Sequence, residues 1–427
     1  MNTDIPTACA AAVQSSAAEQ PIHFFPREDG SRVPYEVFSS QAIYDREQER
    51  IYRGETWSFL GLEAEIAQPG DYKSTFVGDT PVVVTRTQDG TLAAWVNRCA
   101  HRGAMVCRNA RGNAKSHTCV YHQWSFDSAG KLLGVPFRRG NKQMTGMPPD
   151  FDPKNHNLRQ LRVDSYKGLV FATFSDTVPP LPEYIGPEMS PWVDRIFGKP
   201  VVYLGCTRQY SKSNWKLYME NVKDPYHASM LHLFHTTFNI LRVGMQARAI
   251  PDAKHGLHSV LTVTKNAEDH AAAYREQGIR SMDDGFSLED DSVLGFIQEY
   301  DEPTTNHIQP IFPQLVIQQI HNTLVARQLL PKGPGNFELV FHFFGYEDDT
   351  PELRALRIKQ ANLVGPAGYI SMEDTEATEL VQRGTARDPR ATSVIEMGRS
   401  NPTQQDSMIT ESLIRRFWAG YQEMMEL

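Results

Sequence analysis

Residues 99–122 read "CAHRGAMVCRNARGNAKSHTCVYH", with three cysteines and three histidines in 24 positions. Six metal-ligand candidates are too many for one site, and the spacing sorts them. Cys99-x-His101 and Cys119-x-x-His122 are two short pairs, 17 residues apart, each running into a turn-like "HRG" or "HQW". Zinc fingers usually group two cysteines and then two histidines, whereas each pair here holds one of each. That suits a [2Fe–2S] cluster in which one iron takes both thiolates and the other both imidazoles. Neutral imidazoles leave such a cluster less negative and raise its potential. Cys107 and His117, unpaired in this scheme, are read as ordinary core or surface residues.

Around this stretch the chain has the composition of a soluble globular protein, with 427 residues, 40% hydrophobic and 22% charged. That length suggests two to three domains. A formal charge of −8 argues against nucleic acid or an anionic membrane as partner. No apolar run is long enough to span a bilayer. The opening "MNTDIPTACAAAVQSSAAEQ" lacks the basic start and leucine-rich core of a secretory signal and reads as a disordered leader. Five scattered cysteines, an odd number, favour a reducing, cytoplasmic compartment over a disulfide framework.

Helical signals come first, in "SSQAIYDREQERIYRGETW", with Ser39 or Ser40 as cap and Gly54 as stop. From about 61 to 135 short β-type runs take over, and "TPVVVTRTQDGTLAAWVNRC" reads as a hairpin around Asp89-Gly90. "KGLVFATFSD" is a further strand, and the proline-rich 176–189 reads as a linker. Beyond it, Ser213 is expected to cap a helix through "NWKLYMENVKD", and "QLVIQQIHNTLVARQLLP" and "FELVFHFFGYED" give strands of one antiparallel sheet. Helices are expected in "ISMEDTEATELVQRG" and "DSMITESLIRRFWAGYQEMM". The expected fold is α+β, a small all-β domain carrying the cluster and a larger α+β domain with a central antiparallel sheet flanked by helices. The division is 1–44 leader and helix packing on the catalytic domain, 45–175 cluster domain and 176–427 catalytic domain.

An electron carrier needs no such second domain, and this one contains "NWKLYMENVKDPYHASMLH". His227 and His232 lie five apart, about 140° around an ideal helix, so both can face one ion only if the backbone breaks between them. Two histidines and a distant carboxylate would leave a ferrous ion open positions for O2. In "NTLVARQLLPK", alternation puts Arg327 and Val325 on one face and Leu324 and Ala326 on the other. An arginine among such neighbours is costly unless it meets an anion, either a bound carboxylate or an acid of the protein. Among these motifs there is no Gly-rich dinucleotide loop, flavin module or plant-type four-cysteine pattern, so electrons are expected from a separate reductase.

"CAHRGA…CVYHQW" resembles the Rieske motif of aromatic-ring-hydroxylating oxygenases, large (alpha) subunit. Ala104 and Tyr121 stand where respiratory Rieske proteins carry an extra disulfide pair. Glu220, Asp224, His227 and His232 are similar to the same family's mononuclear-iron motif, with the spacing of its benzoate, salicylate and terephthalate types. The resemblance implies a Rieske cluster on Cys99, His101, Cys119 and His122, and an Fe(II) on His227, His232 and Asp374. Glu373 is the neighbouring alternative for the third ligand. It also implies that Asp224 links an iron-ligating histidine to the Rieske histidine of the next subunit, which requires an oligomer. A small (beta) subunit in an alpha3beta3 hexamer, and a flavin reductase with or without a ferredoxin, are the implied partners. Arg327 matches the arginine that holds a carboxylate in terephthalate-type members, while Met408 falls where those carry a second arginine. The implied substrate is therefore a benzoate with one carboxylate. Anthranilate is the expectation, hydroxylated where amine and carboxylate attach, so that loss of ammonia and CO2 gives catechol. Salicylate is the alternative, followed by an ortho-halobenzoate. The segment 266–291 is expected to be a solvated helix and loop, with a lid over the active-site mouth as the other reading.

Overall fold

The computed structural model describes residues 25–427 except 143, 266–270, 280, 281, 284 and 399–403. The expected leader, and part of the 266–291 segment, lie outside the described residues. Within that segment a short helix, Ala271–Glu276, is pinned by Tyr274, whose hydroxyl donates to the Ser229 carbonyl at 3.0 Å.

Two seven-stranded antiparallel sheets organise the chain. The first runs in the order Ser58–Leu62, Leu169–Thr173, Gln160–Tyr166, Leu92–Val96, Thr80–Arg86, Asp71–Val77, Arg111–Asn113. The hairpin expected at Asp89-Gly90 closes there, with Gly90 at φ 85°, a left-handed conformation open to glycine at no steric cost. A three-stranded sheet, Ser116–Thr118, Ser125–Asp127 and Leu132–Gly134, carries the second half of the Cys/His stretch.

The second large sheet runs Val201–Ser211, Phe337–Tyr346, Thr323–Pro331, Leu315–Ile320, Thr304–Ile311, Ser259–Thr264, Gln246–Pro251. "QLVIQQIHNTLVARQLLP" folds as two strands, because Ile320 pairs with Thr323 and His321 turns the chain at φ 50°. One face of the sheet, through Val316, Val325 and Phe341, packs in the same core as Trp215, Phe417 and Trp418 from helices Trp215–Asn221 and Ser412–Met425. The other face, through Leu324, Ala326 and Phe344, packs with Phe59 and Phe171 of the first sheet and with helix Ser190–Phe197.

Three details depart from the sequence reading. Asn214, not Ser213, caps helix Trp215–Asn221, its side-chain oxygen accepting from Lys216 N at 2.9 Å. Ser213 instead donates to the Thr378 hydroxyl at 3.2 Å. The supposed linker 176–189 holds a single helical turn, Leu181–Ile185, whose Leu181 and Ile185 are buried. A helix over Pro351–Val364 was not expected at all.

The two sheets are tied by a buried ionic cluster. Glu65 lies 2.8 Å from Lys73 of the first sheet and 3.3 Å from His342 of the second, and the Glu65 and His342 side chains are 1% exposed. Burial works to raise the Glu65 carboxyl, but the Lys73 and His342 charges hold it well below the usual glutamate range. This contribution to stability is complete above that range and is lost as pH falls below it. Glu65→Gln would strand a buried ammonium, and the expected cost is about 3–5 kcal/mol. Thermal unfolding at pH 7 checks it; an unchanged Tm would mean that the cluster adds nothing to the contact between the sheets.

Candidate active site

The helix carrying His227 starts at Asp224, whose carboxylate accepts from Tyr226 N at 2.9 Å and His227 N at 3.3 Å, with Pro225 fixing the first turn. It ends after one more turn, because His232 sits at φ −86°, ψ 82°, outside helical geometry, and a new helix runs over Leu233–Thr237. This break is the bend that a five-residue separation required. The two imidazoles come to a centroid distance of 5.3 Å. Asp374, in the first turn of helix Ser371–Thr385, completes the group.

The Asp374 Oδ1 lies 3.4 Å from His227 Nε2 and 3.4 Å from His232 Nε2, and the three candidate donors lie within 4.8 Å of one another. Ligand atoms bonded at about 2.0–2.2 Å to one ion stand about this far apart. Each imidazole has a carboxylate on its other nitrogen. Asp224 Oδ2 is 3.3 Å from His227 Nδ1, and Glu373 Oε2 is 2.7 Å from His232 Nδ1. Such partners orient the two rings so that both Nε2 atoms face a common point. Asn221 donates to Asp374 Oδ1 at 2.9 Å. Burial would raise Asp374, but the neighbouring His232 and His227 hold it at about 2. Burial likewise works against charge on His227, yet Asp224 and Asp374 push it up to about 10. Cationic charge is thus favoured where the three side chains converge, and two nitrogens with one oxygen suit a ferrous ion with open positions. Deeper in, Glu220 accepts from the Trp418 indole and is pushed up to about 8 by burial.

The triad also lines a cavity whose other walls include Asn306, Gln318, Arg327 and the aliphatic side chains of Leu261, Ile308 and Ile320. Arg327, 2% exposed, donates through Nη1 to the Tyr218 hydroxyl, while its Nε and Nη2 have no partner. Among the described residues no carboxylate of the protein pairs with it, so the internal salt bridge is ruled out there. Met408 is buried with Ala228, Leu241 and Val263, which themselves line the cavity. Arg327 is the only lysine or arginine on the cavity wall among the described residues.

The other candidate centre is built from two equivalent loops. Cys99 N donates to Ala104 O at 2.8 Å and Gly103 N donates back to Cys99 O at 3.0 Å. Cys119 N donates to Trp124 O at 2.8 Å and Gln123 N to Cys119 O at 3.0 Å. Gly103 (φ 78°) and Gln123 (φ 59°) occupy the same left-handed position of each loop. Both cysteines are buried, His101 is exposed and His122 half-buried, with imidazole centroids 4.5 Å apart. Burial and the adjacent Cys119 thiol push the Cys99 thiol up. A cluster held here would have its thiolate iron inside and its imidazole iron at the surface. Cys107 instead receives a bond from the Ser74 hydroxyl at 3.3 Å, and His117 is packed edge-on to Tyr72 and Trp95.

Two centres of this kind on one chain, one suited to passing electrons and one open to a small molecule, are those of an iron oxygenase. Residues 56–148 match the Rieske [2Fe-2S] domain and residues 203–427 the ring hydroxylating alpha subunit (catalytic domain). The chain is 79% identical to the anthranilate 1,2-dioxygenase large subunit of Burkholderia cepacia, covering 94% of this chain and 95% of that one. It is 44% identical to the terminal oxygenase component subunit alpha 2 of a Comamonas terephthalate 1,2-dioxygenase, over 92% and 95% of the two chains. In fold it resembles Rhodococcus naphthalene 1,2-dioxygenase bound to indole, with a TM-score of 0.77 at 22% identity over 92% and 94%. The chain belongs to the Rieske-type aromatic-ring-hydroxylating oxygenases, as a large subunit carrying a Rieske [2Fe-2S] domain and a mononuclear iron-binding triad.

Proposed function

We propose that this subunit dioxygenates anthranilate at the carbons bearing the amine and the carboxylate. One O2, two electrons and two protons are consumed, and the resulting diol carboxylate takes up one further proton as it loses ammonia and CO2 to give catechol. The observation that carries the substrate class is the buried, unpaired Arg327 guanidinium in the same cavity as His227, His232 and Asp374. The similarity to the Burkholderia cepacia subunit supports anthranilate among the benzoates.

When bound, the cluster on Cys99, His101, Cys119 and His122 and the Fe(II) on His227, His232 and Asp374 supply electron transfer and O2 activation. The chain's residues position the reactants. Arg327 offers two free N–H groups to a carboxylate, and this fork fixes the ring's orientation in the cavity. Asp224 and Glu373 hold the imidazoles in register. The aliphatic wall of Leu261, Ile308 and Ile320 takes the ring face and excludes water. Met408 supplies no charge for a second carboxylate, which disfavours terephthalate.

Asp224 stands 3.3 Å from His227 with its carboxylate 18% exposed, which supports a reading in which it also reaches a Rieske histidine of a neighbouring subunit. We accordingly infer an alpha3beta3 assembly, with electrons from NAD(P)H through a separate reductase or ferredoxin and a cytoplasmic location. No described helix is long and apolar enough to cross a membrane. The division at 45 and 175 belongs to the same proposal.

Product identification tests it. The purified oxygenase with a reductase system is given anthranilate, salicylate, 2-chlorobenzoate and terephthalate in turn. Catechol and one equivalent of ammonia, formed fastest from anthranilate, is the expected result. Faster turnover of salicylate would overturn the substrate, and preference for terephthalate would overturn the reading of Met408.

A further inference from the structure

His227 and His232 converge only because the helix between them stops and restarts, and something must hold that break open. The last four carbonyls of a helix have no donor within it. In the helix Pro225–Leu231 one of these is the Ser229 carbonyl, which accepts from the Tyr274 hydroxyl at 3.0 Å. The same Tyr274 oxygen accepts from Val243 N at 2.8 Å. Tyr274 is 1% exposed, and burial keeps its hydroxyl above the usual tyrosine range, so it remains a donor. The helix after the break, Leu233–Thr237, is held by the residue that precedes Val243. Arg242 donates through Nε to the Thr236 carbonyl at 2.6 Å and through Nη2 to the Thr237 carbonyl at 3.0 Å. Both halves of the broken helix are thus fastened at their carbonyl ends to one short stretch, Arg242-Val243. Leu241, just before it, lines the cavity.

Resting on the triad of His227, His232 and Asp374, and not on which ring acid is bound, we propose that Tyr274 is a positioning residue for the mononuclear iron. Its hydroxyl ties the end of the His227 helix to the loop that holds the helix after His232. The angle between the two halves, and with it the point at which the two imidazoles meet, is set by that tie. Tyr274 acts through the backbone, at a carbonyl two residues beyond His227. Without the hydroxyl the break loses two hydrogen bonds, and the two rings drift from their common point. Losses in the support of metal-ligating histidines cost about 10–100-fold in metal affinity.

The test is release of the mononuclear iron from the complete oxygenase to a chelator. Tyr274→Phe is expected to release it at least about tenfold faster than the native protein while the visible spectrum of the cluster persists. Tyr346→Phe is the control. It too removes a buried hydroxyl, one that donates to the Ile196 carbonyl at 2.7 Å in the core that holds Phe59 and Phe171. It should release iron at the native rate. Equal release from the two variants overturns the proposal, since any buried hydroxyl would then serve. Should Tyr274→Phe fail to fold, amide hydrogen exchange on the native protein decides. Coupling between two sites is reciprocal, so removing the iron should speed exchange at the Val243 amide by about tenfold or more. Exchange there that is indifferent to iron overturns the proposal. A native protein that holds the cluster and no further iron would overturn the triad itself, and the proposal with it.

Discussion

Arg327→Met is expected to lower kcat/KM for anthranilate by about 10² to 10³-fold while the iron content stays at three per chain. Removing one partner of a buried, hydrogen-bonded charge pair costs about 2–5 kcal/mol, and each 1.4 kcal/mol is tenfold. The carboxylate would then lie in a cavity whose wall, among the described residues, offers it no lysine or arginine. The loss should appear mainly in KM, because the carboxylate is held equally before and during the reaction. Arg327→Lys should recover only part of it, because an ammonium cannot present a fork. The protein itself should not suffer. The guanidinium bonds Tyr218 and lies over the Phe341 ring without a carboxylate partner, so an apolar side chain of similar length is close to neutral there. Steady-state kinetics and a melting curve on the same preparation decide the matter. A lowered Tm with unchanged kcat/KM would make Arg327 a structural residue.

How much of this was legible in the sequence depended on how local each signal was. The cluster loops were, because each Cys/His pair sits within one turn and the left-handed position of the first loop is filled by Gly103. The iron histidines were legible as a pair together with the break they required, since Pro225 and a five-residue gap are incompatible with a continuous helical face. Their carboxylate partners were less so. Glu373 and Asp374 are adjacent in sequence and both sit in the first turn of a helix, where acids are favoured electrostatically whatever else they do. Only the fold separates the one that faces both Nε2 atoms from the one behind His232. Gln318 and Asn306 left no clear signal, since Gln319 follows one and Thr305 and His307 flank the other, and it takes the pairing register to bring them into line with Arg327. The helix Pro351–Val364 was missed for a different reason. Its buried face includes Arg357 and Gln360, and Arg357 is paired with Glu299 and, at 2.8 Å, with Asp349, so the apolar periodicity that announces a helix is absent.

Asp374→Ala and Glu373→Ala should give different proteins although the residues are neighbours. Loss of Asp374 takes away the one oxygen that lies 3.4 Å from both His227 Nε2 and His232 Nε2. Two imidazoles are then left to hold the ion. Iron is expected to fall from three to two per chain, ring hydroxylation to fall below detection, and the visible spectrum of the cluster to persist, since its four candidate ligands are untouched. Glu373 bonds the far nitrogen of His232 at 2.7 Å and lies outside the converging donor set. Its removal frees the ring to rotate and lowers its basicity, and losses of this kind cost about 10–100-fold in metal affinity or activity. The Glu373→Ala protein should therefore carry three irons as purified, lose one to a chelator that the native protein resists, and regain activity when Fe(II) is added in excess. Elemental iron per chain before and after dialysis against that chelator separates the cases. If Glu373→Ala arrives with two irons and Asp374→Ala with three, the ligand is Glu373, and the helix turn that carries both residues must rotate when the ion binds.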